Sequence, residues 1–305
     1  MNKQNKLLYL AREALRWYLR RFPWRDGKAF CYRHLHGKLA PPEGWVTSSL
    51  VRGFTLRLNL ADPEQRRLYF FGDYDERREA DLITRVLAPG EIFWDVGANL
   101  GYFTLLAATS LKNTGRVVAF EPARNAYSQL TANIALNPFT NIVTYPVAVT
   151  DREGEAVLYS APKLADGRAN LFQPGTDQTG RQPVPTVSLD AWRRREHQAL
   201  PDFIKLDVEG AEASALSGAQ ETLAVSEPLL MVEMKEAIFQ SLGLERTAIQ
   251  DFLCPLGYRP AGLVRGRWRL YDDVRKIASR NVWWLKPELP RHRHKATRMG
   301  LKGLT

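Results

Sequence analysis

Asp95, Gly97, Gly101 and Glu121 have the types and spacing needed to hold a nucleoside. The run Glu91-Ile-Phe-Trp-Asp-Val-Gly-Ala-Asn-Leu-Gly-Tyr-Phe103 begins apolar and turns acidic at Asp95. Gly97 and Gly101 then bracket a tight turn around Asn99, and Tyr102 to Leu111 reads as a helix. Strand, glycine turn and helix make half of a nucleotide-binding unit. The next apolar run, Arg116 to Pro122, ends in Glu121, about 20 residues on, where a carboxylate can accept hydrogen bonds from both ribose hydroxyls. The glycines at 97 and 101 lack the G-x-G-x-x-G spacing that a pyrophosphate needs, so the nucleoside need not be a dinucleotide. A second charged set lies in Phe203-Ile-Lys-Leu-Asp-Val-Glu209. Strand alternation places Lys205, Asp207 and Glu209 on one face, with the turn after Val208 re-aiming Glu209. Glu233 closes a further apolar run, Leu229 to Glu233.

The elements that must position these residues alternate strand and helix, the pattern of an α/β fold with a doubly wound, mostly parallel sheet. The strands are read as 92–96, 117–121, 142–147, 203–208 and 229–233, with helices at 101–111, 124–136, 188–198 and 212–224. Upstream, 53–60 alternates apolar and polar residues, as a half-exposed strand does, and 67–72 reads as a second strand. Residues 75–87 form an amphipathic helix closed by Pro89-Gly90. The stretch 155–187 is read as a hairpin and loop insertion of the kind that often serves as a lid. A helix near 244–254 and strands near 257–258 and 282–285 follow. Three parts result: a basic N-terminal helix and linker over 1–50, the α/β domain over 51–289 with its helix and strand extension, and a frayed basic tail over 290–305.

Composition excludes several classes. With 45% hydrophobic residues the chain can bury a core, so global disorder is excluded. No apolar run reaches about 18 residues, and the N-terminus lacks a small-residue cleavage site, so neither a membrane span nor a signal peptide is expected. Cys31 and Cys254 are isolated, as suits a reducing cytoplasm. His34 and His36 read as a surface loop rather than metal ligands, and His197 as solvated. The net charge of +10 sits at the two ends. Residues 1–40 hold ten Lys/Arg and two Asp/Glu, and residues 259–305 hold thirteen and three, while the middle is acidic. The N-terminal helix could lie on the anionic inner face of a membrane, or pack on the domain with a solvated basic face. Trp24 and Phe30 would supply apolar surface for the second arrangement. Nothing interleaves aromatic and basic residues as a nucleic-acid surface would.

Asp95-x-Gly97-Ala-Asn99-x-Gly101 with Glu121-Pro122 resembles the cofactor loop of class I S-adenosylmethionine-dependent methyltransferases, a Rossmann-like fold. Phe203-Ile-Lys205-Leu-Asp207-Val-Glu209-Gly210-Ala-Glu212, Leu216-Ser-Gly218-Ala219 and Glu227-Pro228-Leu-Leu-Met-Val-Glu233 narrow the likeness. Together with Thr186-Val-Ser-Leu-Asp190 and Leu130-x-x-Asn133-x-x-Leu-Asn137, that ordered set is similar to the FkbM-type family over about residues 70–235. The resemblance implies methyl transfer to a hydroxyl oxygen of a sugar, glycan or related natural-product acceptor, with S-adenosyl-L-methionine as cofactor. On this reading Gly97 and Gly101 let the backbone approach the cofactor, and the N-terminus of helix 101–111 meets the methionyl carboxylate. Asp95 faces its amino group, Glu121 takes the ribose, and Ala148 and Asp151 flank the adenine.

Asp207 is then the best-placed base for the acceptor hydroxyl, a role worth about 10² to 10⁴ in rate. Lys205 could hold an acceptor oxygen, pair with Glu233 or serve as a salt-bridged core residue. Glu209 and Glu233 could position the acceptor or, as hard oxygen donors, bind Mg²⁺. Arg193 to Arg195 could face an anionic acceptor. Three rivals are a nucleic-acid methyltransferase, an NAD-dependent dehydrogenase and a catalytically silent scaffold subunit. Amine-methylating relatives commonly carry an aromatic after a proline pair at the fourth strand, where this chain has Leu206-Asp207-Val208-Glu209-Gly210.

Overall fold

The computed structural model describes residues 3–22, 27–41, 44–74, 76–160, 169–170, 181–264 and 267–301. Five strands form the parallel centre of the main sheet: Ile92–Val96, Arg116–Phe120, Ile142–Tyr145, Phe203–Leu206 and Leu229–Glu233. The spatial order is 142–145, 116–120, 92–96, 203–206, 229–233, 281–285, 259–264, 267–270, and the last three join through antiparallel pairings. The chain winds outward from 92–96, then returns to lay 203–206 on the other side of 92–96. That reversal opens a crevice at the C-terminal ends of the two central strands, the usual ligand site of such sheets.

Both sheet faces are covered, which is why the central strands read as near-continuous apolar runs. Phe93, Val117, Phe203 and Met231 pack on one side with the helix Tyr102–Leu111. Trp94, Val118, Ile204 and Val232 pack on the other with Trp192 and Leu216. A separate four-stranded sheet contains Ala148–Val149, Gly154–Ser160, Ala169–Asn170 and Arg181–Val187, with an antiparallel hairpin between 154–160 and 181–187. The rest of the expected loop insertion, 161–168 and 171–180, lies outside the described residues, as do Trp24 and Asp75.

Several local expectations are corrected. Residues 67–72 are not a strand but belong to the helix Pro63–Phe71, because Asp62 caps it by accepting from the N–H groups of Glu64 and Gln65. An Asp-Pro start signal outweighed the short apolar run. The strand Thr55–Asn59 is present and pairs with Trp45–Ser49. The expected helix 212–224 is two helices, Glu212–Ser217 and Gln220–Val225, broken at Gly218, where a Cβ would lie 2.1 Å from the Thr150 carbonyl oxygen. A short helix, Glu236–Ser241, precedes the expected one, which spans Thr247–Leu253.

The ends are more ordered than composition suggested. The supposed N-terminal linker contains a second helix, Lys28–Leu39, after the helix Lys3–Arg21. The first helix docks by its C-terminal half: Leu15 and Leu19 are buried, and Arg20 donates to the carbonyls of Tyr69 (2.6 Å) and Ser49 (3.0 Å). Phe30 does not dock; it is 65% exposed. The supposed frayed tail holds the helix Pro290–Met299, which buries His292, Lys295, Ala296 and Met299 on one face. Lys295 Nζ lies 2.7 Å from Glu91. Two of those four buried residues are polar, so hydrophobic periodicity could not reveal the stripe.

Candidate active site

The parallel register sets Asp95 directly beside Lys205. Lys205 Nζ lies 3.0 Å from Asp95 Oδ1 and 3.7 Å from Asp207 Oδ2, and it donates to the Gly97 carbonyl at 3.1 Å. The Thr104 hydroxyl donates to the other Asp95 oxygen at 2.6 Å. Burial alone would lower the Lys205 pKa, but the Asp95 and Asp207 carboxylates overcome it and hold the ammonium charged. Asp95 is fully buried with both oxygens engaged, so it does not face a ligand amino group as expected. Lys205 is the buried ion-pair partner of Asp95 and not of Glu233.

The glycine turn is demanded first by the protein itself. Gly97 has φ +81°, and a Cβ there would lie 1.8 Å from the Asp207 carbonyl oxygen. Gly101 has φ +93°, and its Cβ would meet Leu130 Cδ1 at 2.6 Å. Gly101 lines neither cavity beside the turn and passes helix 124–135 closely at Leu130.

Two cavities meet at Tyr74, Gly97, Asn99, Ala126 and Asp207. The first, about 840 Å³ with its mouth, has Pro122, Ala123, Val147, Ala148 and Leu158 as apolar walls and Glu121 at its side. Glu121 accepts the N–H groups of Asn99 (2.8 Å) and Ala123 (2.9 Å). Each carboxylate oxygen thus holds one backbone donor and keeps a second lone pair for a ligand. Burial pushes the Glu121 carboxyl up to about 7 despite those two donors. Asn99 adopts φ +49°, which turns its N–H toward Glu121. Asp151 does not flank this cavity; it is exposed and accepts the Ser214 hydroxyl at 3.0 Å.

Glu209 and Glu233 also line the first cavity, each with a carboxylate oxygen within 4.8 Å of the other and of Asp207. The Lys235 ammonium sits among them, 3.0 Å from Glu209 and 2.5 Å from Glu233. A cation of the chain's own therefore occupies this cluster, and the donor set does not fit Mg²⁺. Burial and then the Asp207 charge push the Glu233 carboxyl well up. Glu212 accepts the N–H groups of Val208 and Gly210, pinning the turn that holds Glu209 at φ +52°.

The sequence profile of the "Methyltransferase FkbM domain" matches residues 95–260, which spans every one of these site elements from the glycine turn to Lys235. The chain belongs to the FkbM methyltransferase family. It is 28% identical over 176 residues to the hexuronic acid methyltransferase AglP of Haloferax volcanii, covering 57% of this chain and 68% of that one. It is 26% identical over 161 residues to the 2-O-methyltransferase NoeI of Sinorhizobium fredii, covering 47% and 63%. A solved FkbM methyltransferase from Methylobacillus flagellatus aligns with 15% identity and a TM-score of 0.42, over 72% of this chain and about half (52%) of that one.

The methyltransferase brings Gly97, Asn99, Glu121, Ala148, Lys205, Asp207, Glu209 and Glu233 to the cavities, and leaves Asp95, Gly101 and Asp151 off their walls. Arg193 and Arg194 pair with Glu221, and Arg195 pairs with Glu153, so none of the three is left for an acceptor. The lining residues that were not foreseen include Trp45, Arg57, Tyr74, Glu76 and Lys235. Lys235 lies two residues beyond Glu233, so continued strand alternation could have found it. Glu76, bridged to Arg280 and pushed up to about 7 by burial, carries no local signal.

Proposed function

We propose that this methyltransferase uses S-adenosyl-L-methionine to methylate a hydroxyl oxygen of a sugar-type acceptor. The observation that carries the reading is the place of Asp207 at the junction of the two cavities. The first cavity suits an adenosyl group: a buried carboxylate with free lone pairs beside apolar walls, next to a glycine turn. Glu121 would hold the ribose hydroxyls, and Ala148, Val149 and Leu158 would enclose the base. When bound, the cofactor supplies an electrophilic methyl group on a sulfonium whose thioether is a good leaving group.

The chain's residues then manage one proton and one alignment. Asp207 would accept the proton of the acceptor hydroxyl as that oxygen attacks. Lys205, fixed by Asp95 and Thr104, orients Asp207 and offsets its charge. Lys235 pairs with Glu209 and Glu233, so its ammonium engages the two carboxylates that flank Asp207. The names of AglP and NoeI, a hexuronic acid methyltransferase and a 2-O-methyltransferase, support the sugar class. Asp207→Asn tests the role: turnover should fall by about 10² or more with cofactor affinity retained. Loss of cofactor binding instead would move Asp207 into the cofactor site, and unchanged turnover would move the base elsewhere.

A further inference from the structure

The second cavity, about 1550 Å³ with its mouth, leads away from Asp207 to the hairpin of Trp45–Ser49 and Thr55–Asn59. The hairpin register and the period of two put Trp45, Thr47, Arg57 and Asn59 on one face and Val46, Ser48, Leu56 and Leu58 on the other. Leu56 and Leu58 are fully buried, so the first set faces away from the core, and Trp45, Arg57 and Asn59 line the cleft. Trp45 is 44% exposed, a large apolar face held open to solvent. The Arg57 guanidinium lies over the Trp45 ring at 4.9 Å and has no carboxylate partner among the described residues.

This face is held rigidly. Asn133, fully buried, accepts the Arg57 N–H at 2.7 Å and donates to the Leu100 carbonyl in the glycine turn at 2.8 Å. Asn137 accepts the Thr55 N–H and donates to the Thr55 carbonyl, both at 2.8 Å. Two asparagines therefore bolt the hairpin to helix 124–135 and to the turn beside the reaction centre. An aromatic ring, a guanidinium with no carboxylate partner among the described residues, and the amides of half-buried Asn59 and exposed Asn125 along one cleft match the demands of a sugar ring carrying a carboxylate. The apolar face of the ring stacks on indole, its hydroxyls bond amides, and its carboxylate pairs with guanidinium. Trp45 to Tyr74 lie outside the matched family segment.

We infer that the outer face of this hairpin is the acceptor-binding surface, with Trp45 as stacking platform and Arg57 selecting an acidic sugar. The inference rests on the methyltransferase reading of the Asp207 junction. The test uses full-length protein saturated with S-adenosylhomocysteine, with methyl glucuronide and the matched neutral methyl glucoside as probes. Titration followed by saturation-transfer NMR should show the glucuronide binding about tenfold or more tighter, the range of a lost charge-assisted hydrogen bond. Arg57→Gln should abolish that preference, Trp45→Ala should abolish binding of both sugars, and S-adenosylhomocysteine affinity should be unchanged in both variants. Equal binding of the two sugars, binding of neither, or insensitivity to the two substitutions overturns the inference and leaves the methyltransferase reading standing. A drop in S-adenosylhomocysteine affinity in Arg57→Gln also overturns it, by assigning Arg57 to the cofactor. Failure of the wild-type protein to bind S-adenosylhomocysteine sinks the underlying reading itself.

Discussion

Glu121 makes the cofactor site testable through pH. Its carboxyl sits near 7 because burial disfavours the charge more than two backbone N–H donors favour it. A ribose needs the ionised form, which accepts hydrogen bonds from two hydroxyls. With a pKa of about 7, the side chain is roughly 90% protonated at pH 6 and roughly 10% at pH 8. The sign follows: affinity for an S-adenosyl ligand falls as pH falls through 7. Linkage sets the size at about tenfold between pH 8 and 6, or ~1.4 kcal/mol. Calorimetric titration of S-adenosylhomocysteine at pH 8, 7 and 6 measures it. Glu121→Gln should bind more weakly at pH 8 by about 1.5–3 kcal/mol and show no such slope. Glu76 lines the same cavity and is also pushed up to about 7, so it is the internal rival. A flat wild-type profile would refute the reasoning. So would a slope that persists in Glu121→Gln and disappears in Glu76→Gln.

Lys205→Met should destabilise the fold by about 3–5 kcal/mol, because Asp95 is left charged and buried; chemical denaturation should show much of the loss restored in the double variant with Asp95→Asn. Gly97→Ala should cost more than about 2 kcal/mol, since a Cβ at 1.8 Å from the Asp207 carbonyl forces the turn and the strand end apart; an unchanged melting temperature would contradict the close approach. Deleting residues 1–11, among which the described side chains are almost all exposed, should leave stability within about 0.5 kcal/mol, whereas deleting 1–40 removes buried Leu15, Leu19 and the Arg20 hydrogen bonds and should lower it by several kcal/mol. Adding EDTA should not change turnover, because Lys235 already neutralises the carboxylate cluster; a loss restored by Mg²⁺ would overturn that assignment.

Much of the catalytic half was legible because its signals are local. The apolar runs at 92–96 and 229–233 match the strands residue for residue, since a strand buried on both faces must be apolar throughout. The glycine turn, the acid after the second strand and the charged end of the fourth strand were visible for the same reason: each is a short motif whose chemistry is written within a few residues.

What the sequence by itself determined was therefore the family, the parallel centre of the sheet and a set of candidate site residues. It did not determine what those residues touch. Asp95 looked like a ligand contact until the parallel register set it against Lys205, 110 residues away in the chain, and closed its carboxylate inside the sheet. Gly101 looked like a ligand-clearing glycine until Leu130 was found against it. Glu209 and Glu233 could have positioned an acceptor or bound Mg²⁺ until Lys235 was seen among them. Asn133 and Asn137 carried a family pattern with no evident task until the fold showed them clamping the hairpin that bears Trp45 and Arg57. The physical reason is common to all four. A side chain's type and local geometry follow from its neighbours in sequence, but its electrostatic partner is chosen by strand register and helix docking. Those depend on the packing of the whole core, and only the tertiary structure decides them.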